Sequence, residues 1–231
     1  PPPSPGPTFG LFEPAFRTGN ALATVNTDRF TLAALKLEWD LGAARLLSNV
    51  SYYDRNQSAT SDYTQFDRSI FLGTPFFDTN GYNLAPTEWA DDQKNWTAEV
   101  RLQSADASAR LSWTAGFFFQ HADENTIENV YDPGLLNYFG VPGSDGYIYK
   151  QDPFHSIDTQ YALYLDLEYM LAERLKLIAG VRASQTEYQG NAQYGGFVLF
   201  GPPVVSSGSI TEHPVTPRFC LEYPLSQDDM V

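Results

Sequence analysis

The chain has 231 residues, 42% of them hydrophobic and only 18% charged, which is too apolar for a disordered chain and too sparsely charged for a long coiled coil. Its 28 acids against 14 bases leave a net charge of −14, which repels phosphate backbones and argues against a nucleic-acid partner. A single cysteine, Cys220, excludes an intrachain disulfide and cysteine-based zinc or iron–sulfur centres.

Residues 1–28 read as an irregular Pro-rich segment, opening Pro1-Pro2-Pro3-Ser4-Pro5-Gly6-Pro7, with neither the basic start nor the apolar middle of a secretory leader. From residue 29 onward the dominant period is two. The segment 30–39 ends in Leu35-Lys36-Leu37-Glu38-Trp39, and 44–57 runs through Leu46-Leu47-Ser48-Asn49-Val50-Ser51-Tyr52-Tyr53; both alternate loosely. In 95–104, Trp96, Ala98, Val100 and Leu102 alternate with Thr97, Glu99, Arg101 and Gln103. In 110–121, Leu111, Trp113, Ala115, Phe117 and Phe119 share one parity, and Phe118 breaks the polar one. The clearest case is 160–171, where Tyr161, Leu163, Leu165, Leu167, Tyr169 and Leu171 oppose Gln160, Asp166 and Glu168. The pattern continues in 174–186 and 215–223, and an eighth strand is expected to begin at Met230-Val231. A helix would scatter these groups around its circumference, whereas a strand sorts them onto two faces. Seven strands of about ten residues exceed the five or six usual in soluble sheets.

The connections alternate too. Those at 40–43, 105–109, 171–173 and 224–229 are short, and those at 58–93, 122–158 and 189–213 are long. In a meander this places every tight turn at one end and every long loop at the other, the layout of outer-membrane barrels. With their flanks, at 59–94, 121–158 and 186–213, the long loops hold 15 acids and three bases, so nearly all the net charge lies there. Trp39, Trp113, Tyr169 and Tyr223 fall near the short turns, and Tyr52, Trp96, Phe119 and Tyr161 toward the long loops, as two girdles at membrane–water interfaces would require. Alternation alone also fits a soluble β-sandwich. Strand length and loop asymmetry favour an all-β, antiparallel up-and-down transmembrane β-barrel, present here in part.

Asn95-Trp96-Thr97-Ala98-Glu99-Val100-Arg101-Leu102-Gln103-Ser104, followed by Leu111-Ser112-Trp113-Thr114-Ala115-Gly116-Phe117-Phe118, resembles the mid-barrel signature of TonB-dependent receptors. Tyr161-Ala162-Leu163-Tyr164, Leu175-Lys176-Leu177-Ile178-Ala179-Gly180-Val181-Arg182 and Val215-Thr216-Pro217-Arg218-Phe219 resemble the strands that follow it, and Leu47-Ser48-Asn49-Val50-Ser51-Tyr52 matches an earlier one more loosely. The resemblance implies a barrel of about 22 strands with a plugged lumen. It also implies import of a scarce ligand such as a ferric siderophore, powered through the TonB protein. The expected partners are outer-membrane lipid, TonB by way of a plug domain, and a small-molecule ligand such as a metal chelate. Neither catalysis nor a cofactor is expected. No plug domain, TonB box or aromatic-ended last strand is found, so residues 29–231 are expected to form a section of barrel wall that does not transport alone.

Catalytic motifs are missing from the sequence: it has no Gly-x-Ser-x-Gly elbow, P-loop or dinucleotide fingerprint, and His121, His155 and His213 lie far apart. Two groups remain as candidates. Glu99, Arg101, Asp166, Glu168, Arg182 and Arg218 fall on the polar parity and would form a charge ladder on the lumen wall, either holding a plug or merely keeping the lumen wet. Phe76, Phe77, Tyr82 and Trp89 in one long loop, and Tyr131, Tyr147 and Tyr149 in the next, could stack on a ligand. The competing reading is that such rings pack the loops onto one another. A porin or adhesin barrel, and a carbohydrate-binding sandwich, stay open as alternatives at this point.

Overall fold

Period-two alternation resolves into one antiparallel sheet. The computed structural model describes residues 22–73, 84–106, 108–141 and 145–223. In chain order these form β1 (Val25–Asp40), β2 (Ala44–Asp62), α1 (Thr64–Leu72), β3 (Pro86–Ser104), β4 (Leu111–Tyr131), α2 (Pro133–Tyr138), β5 (Tyr147–Ala172), β6 (Leu175–Gly195), a 3-10 turn (Phe197–Leu199), β7 (Val204–Glu212) and β8 (Val215–Glu222). Each of β1 to β6 pairs with the next as a meander. β7 and β8 both pair with β6, in one unbroken register that runs from Thr186↔Glu212 to Ala183↔Val215. They are two halves of a single line, interrupted at His213-Pro214 because proline has no N–H to give. The Pro214 carbonyl still accepts from the Ser184 amide at 2.9 Å. The seven expected strands are therefore present, and the expected stub at Met230-Val231 lies outside the described residues.

The strands are far longer than the alternation indicated. β5 has 26 residues and β4 and β6 have 21 each, whereas a tilted crossing of the bilayer takes about 9–11. Among the described residues, half of 58–93 and most of 122–158 and 189–213, expected as loop, is strand. The reason is chemical. Above the apolar band both parities are polar, as in Asp91-Asp92-Gln93-Lys94 and Asp123-Glu124-Asn125-Thr126, so no alternation is left to read. β1 likewise begins at Val25, ahead of the expected boundary at residue 29. The short connections between β1 and β2, β3 and β4, and β5 and β6 hold as expected, and the one at 224–229 lies outside the described residues. In the first, the Gly42 amide donates to Asp40 Oδ1 at 2.8 Å, with Gly42 at φ +84°.

Register fixes the two faces. Leu37, Ser48, Val100, Phe117, Leu163, Ala183 and Val215 lie in one row across the sheet, and the neighbouring rows on that face are equally apolar. Leu163 is 65% exposed, and no second sheet covers this face among the described residues. That removes the sandwich reading. At the upper edge of the band the Tyr52 and Trp96 rings lie 4.5 Å apart and those of Phe119 and Tyr161 5.2 Å apart, as an interfacial girdle would.

Among the described residues, the clustered buried core lies beyond the band. Val130, Leu135, Leu136 and Ile148 form it, with Tyr63, Phe71, Tyr149 and Phe197 packed around them. Val130 and its buried cross-strand partner Thr87 belong to the polar parity, so α1, α2 and the 3-10 turn fold over the face opposite the lipid-compatible one. The Phe139 and Phe197 rings stack at 5.4 Å and so tie two of these connections together. One bulge adjusts the fit. Both ladders flanking β5 slip by one residue around Pro153-Phe154. The slip reverses the parity of β5 above that point and brings Tyr149 and Gln151 onto the cap side.

Candidate functional site

Five of the six expected ladder residues come together. Glu99, Arg101, Asp166, Arg182 and Arg218 line one shallow depression of about 460 Å³ on the polar face. Strand register does this: Arg101, Gly116, Tyr164, Arg182 and Thr216 share one row, and Gln103, Thr114, Asp166, Gly180 and Arg218 the next. Glu168 lies further toward the turns. Lys176 reaches it at 3.3 Å and Glu222 at 3.1 Å, giving a three-membered cross-strand cluster. Arg101 Nε approaches Glu99 at 3.4 Å. Arg182 and Arg218 make no ion pair among the described residues. Arg182 instead donates to Ser184 Oγ at 3.3 Å, and its guanidinium lies over an aromatic face, 5.2 Å from the Phe118 centroid. Phe118, the apolar exception on this parity, is thus covered by a cation.

Two glycines shape the wall in a way the sequence did not disclose. A Cβ on Gly116 would overlap the Tyr164 ring, and one on Gly180 would overlap Asp166 Oδ1. Each glycine therefore lets the long side chain of the neighbouring strand lie flat across it. Tyr164 reaches past Gly116 in this slot and donates its hydroxyl to Glu99 Oε1 at 2.7 Å. Cys220 is free and exposed, in a row with Ile178 and Glu168 on the same face.

Above the band the polar face carries a second constellation, centred on a residue the sequence gave no reason to single out. Arg55 donates to Asp28 through Nε at 3.0 Å and a terminal nitrogen at 2.7 Å, donates to Gln57 at 2.8 Å, and approaches Asp91 at 3.6 Å. The bond from Arg55 holds the Asp28 carboxyl below its ordinary value. Glu124 is pushed up, first by burial and then by the charge of Asp91 and a hydrogen bond shared with it. The signal available in the sequence was weak: Asp28, Arg55 and Asp91 are far apart along the chain, and only the register unites them.

The expected aromatic contacts divide. Phe76, Phe77 and Tyr82 lie outside the described residues. Trp89 is 45% exposed and by register shares the face of Asp91 and Arg101. Tyr131 and Tyr147 pack edge to face at 5.3 Å, and Tyr149 packs against the loop core and stacks on Tyr194 at 6.3 Å. Among the histidines, His121 Nδ1 lies 2.9 Å from Thr159 Oγ1 and His155 Nε2 3.1 Å from Asp123 Oδ1. No cluster with metal-binding composition occurs among the described residues.

A single-layered sheet with one apolar and one charged face, long strands, and all its tight turns at one end is the geometry of a large barrel wall. The description "TonB dependent receptor-like, beta-barrel" matches residues 2–231. The chain belongs to that family. Solved structures agree on the fold. The ferric yersiniabactin uptake receptor FyuA from Yersinia pestis superposes with a TM-score of 0.68 at 13% identity, over 88% of this chain and 27% of its own. The siderophore receptor PiuA from Acinetobacter baumannii gives 0.59 at 11%, over 87% and 31%. The copper transporter OprC gives 0.57 at 11%, over 87% and 28%. This chain thus spans under a third of the length of each of these three receptors.

Proposed function

We propose that this chain is a section of the wall of a bacterial outer-membrane receptor that imports a scarce small molecule, a ferric siderophore first among the candidates, with energy delivered through TonB and without catalysis. The family supports this, and the names of the similar structures point to metal and metal-chelate cargo. The observation that carries the reading is the two-faced sheet. About nine residues per strand, such as Tyr161 to Tyr169 on β5, present an apolar face matched to the bilayer, while the opposite face bears guanidinium groups without ion partners. In this reading Arg182 and Arg218, with Arg101, Glu99, Asp166 and Glu168, hold a plug by charge-assisted hydrogen bonds. Trp89 and Tyr131, the most exposed of the expected rings among the described residues, contact the ligand above it.

Uptake of radiolabelled iron as a panel of chelates, in cells with and without the full-length gene and with and without TonB, tests the import reading. The expected result is loss of one chelate's uptake in both deletions; uptake of every chelate untouched by either deletion rejects it. Arg101→Ala with Arg182→Ala in the full-length receptor is expected to lower hydrogen-exchange protection of the plug, and unchanged protection removes the plug-holding role.

A further inference from the structure

The connection between β2 and β3 packs on the one between β4 and β5, Phe71 against Phe139, and each contributes a buried carboxylate. Asp67, on α1, is 2% exposed, and Asp132, which caps α2, is equally buried. Oδ2 of Asp67 has no hydrogen-bond partner among the described residues. Asp132 accepts from the Leu135 amide at 2.9 Å. Among the described residues, Arg68, Tyr63 and Glu128 are charged or titratable groups near the pair. Burial raises the Asp132 carboxyl above its ordinary value, and the Leu135 amide and Arg68, next on α1 and itself buried, offset this only in part. Tyr63, just before α1, donates to Glu128 on β4 at 3.2 Å.

Apolar packing adds to the contact. Phe71 on α1 lies 6.4 Å from Phe139 and 6.3 Å from Phe197. The start of α1 is stapled separately: the Tyr63 amide donates to the Ala85 carbonyl, and the Ala85 amide to Thr64 Oγ1, each at 2.9 Å. The first turn of α1 is therefore anchored, while the remainder depends on an interface that buries two carboxylates with the Arg68 guanidinium nearby.

We propose that the docking of α1 on α2 is a proton-controlled latch, which closes the cap over the polar face when Asp67 carries a proton and loosens it when Asp67 and Asp132 are both ionised. Burial, and then the charge of Asp132, push the Asp67 carboxyl from an ordinary 3.8 up to about 7. A carboxyl whose docked value exceeds its undocked value binds its proton more tightly when docked. Docking is therefore strongest below the ordinary value, weakens as pH rises through the window between 3.8 and about 7, and levels off above it.

Hydrogen exchange on the full-length protein in detergent, corrected for the intrinsic rate at each pH, reads the latch directly. Protection of peptides covering 64–72 is expected to be greater by about tenfold or more at about pH 5.5 than at about pH 8.5. Peptides covering 161–169, in the membrane band, are expected to show no such change. Asp67→Asn is expected to keep the protection seen at low pH and to flatten the profile to within about twofold. A flat wild-type profile, or an Asp67→Asn profile that follows the wild type, overturns the latch. If Asp67→Asn does not fold, Asp132→Asn serves. It keeps a capping oxygen and removes the repulsion, so a pH dependence undiminished in that variant overturns the proposal as well.

Discussion

The wall and the cap are held together by different forces. Among the described residues the wall between Tyr161 and Tyr169 has no second layer: Leu163, Leu165 and Leu167 are exposed, and hydrogen-bonded ladders do the internal work while lipid supplies the apolar surroundings. The cap around Leu135 and Leu136 is a small core of the soluble kind, with buried leucines, stacked rings and a few costly buried charges. A substitution therefore means different things in the two regions. In the wall it is judged by the solvent it faces, and in the cap by the neighbours it loses.

The sharpest way to break that contrast is at Leu135, which is almost completely buried. Leu135→Ala is expected to cost about 2–5 kcal/mol. The loss should appear in the local exchange of the cap and leave the melting of the barrel unmoved. Leu165→Arg tests the wall and is expected to cost about 2–4 kcal/mol near the bilayer midplane. Here the loss should appear in the folding equilibrium in lipid, with cap exchange unaltered. A cap effect from Leu165, or a global one from Leu135, would mean that the two regions are one cooperative unit. Tyr164→Phe is smaller, about 1–2 kcal/mol for the lost bond to Glu99, and should show in wall stability alone. The smallest effect is Cys220→Ser, expected to be neutral in stability. Its use is as a probe: in the full receptor, Cys220 should react with a membrane-impermeant thiol reagent admitted to the lumen and be spared by a lipid-dissolved one.

How much was legible in the sequence follows from the same contrast. Leu163, Leu165 and Leu167 announced their strand because lipid on one side and water on the other impose a period of two. Above the band that asymmetry ends, and Asp91-Asp92-Gln93-Lys94 gave no period although it is strand. α1 and α2 are only nine and six residues long, too short for a helical period to stand out. The charge ladder was legible because parity alone assigns a face. The slots were not: that Tyr164 lies across Gly116, or that Arg55 joins Asp28 to Asp91, depends on which residues face each other between strands. Phe118 looked like an error in the pattern until Arg182 was found above it.

The bulge at Pro153-Phe154 has a consequence for how such a wall can change. It acts as a phase inverter, so that one strand can obey two incompatible side-chain schedules, one for the bilayer and one for the cap. A one-residue deletion there would remove this slip and turn Tyr149 and Gln151 away from their present neighbours, with the register of β5 from Ser156 toward Tyr169 left in place. The extramembrane part of a strand can in this way be re-addressed in a single step without renegotiating its contract with the membrane.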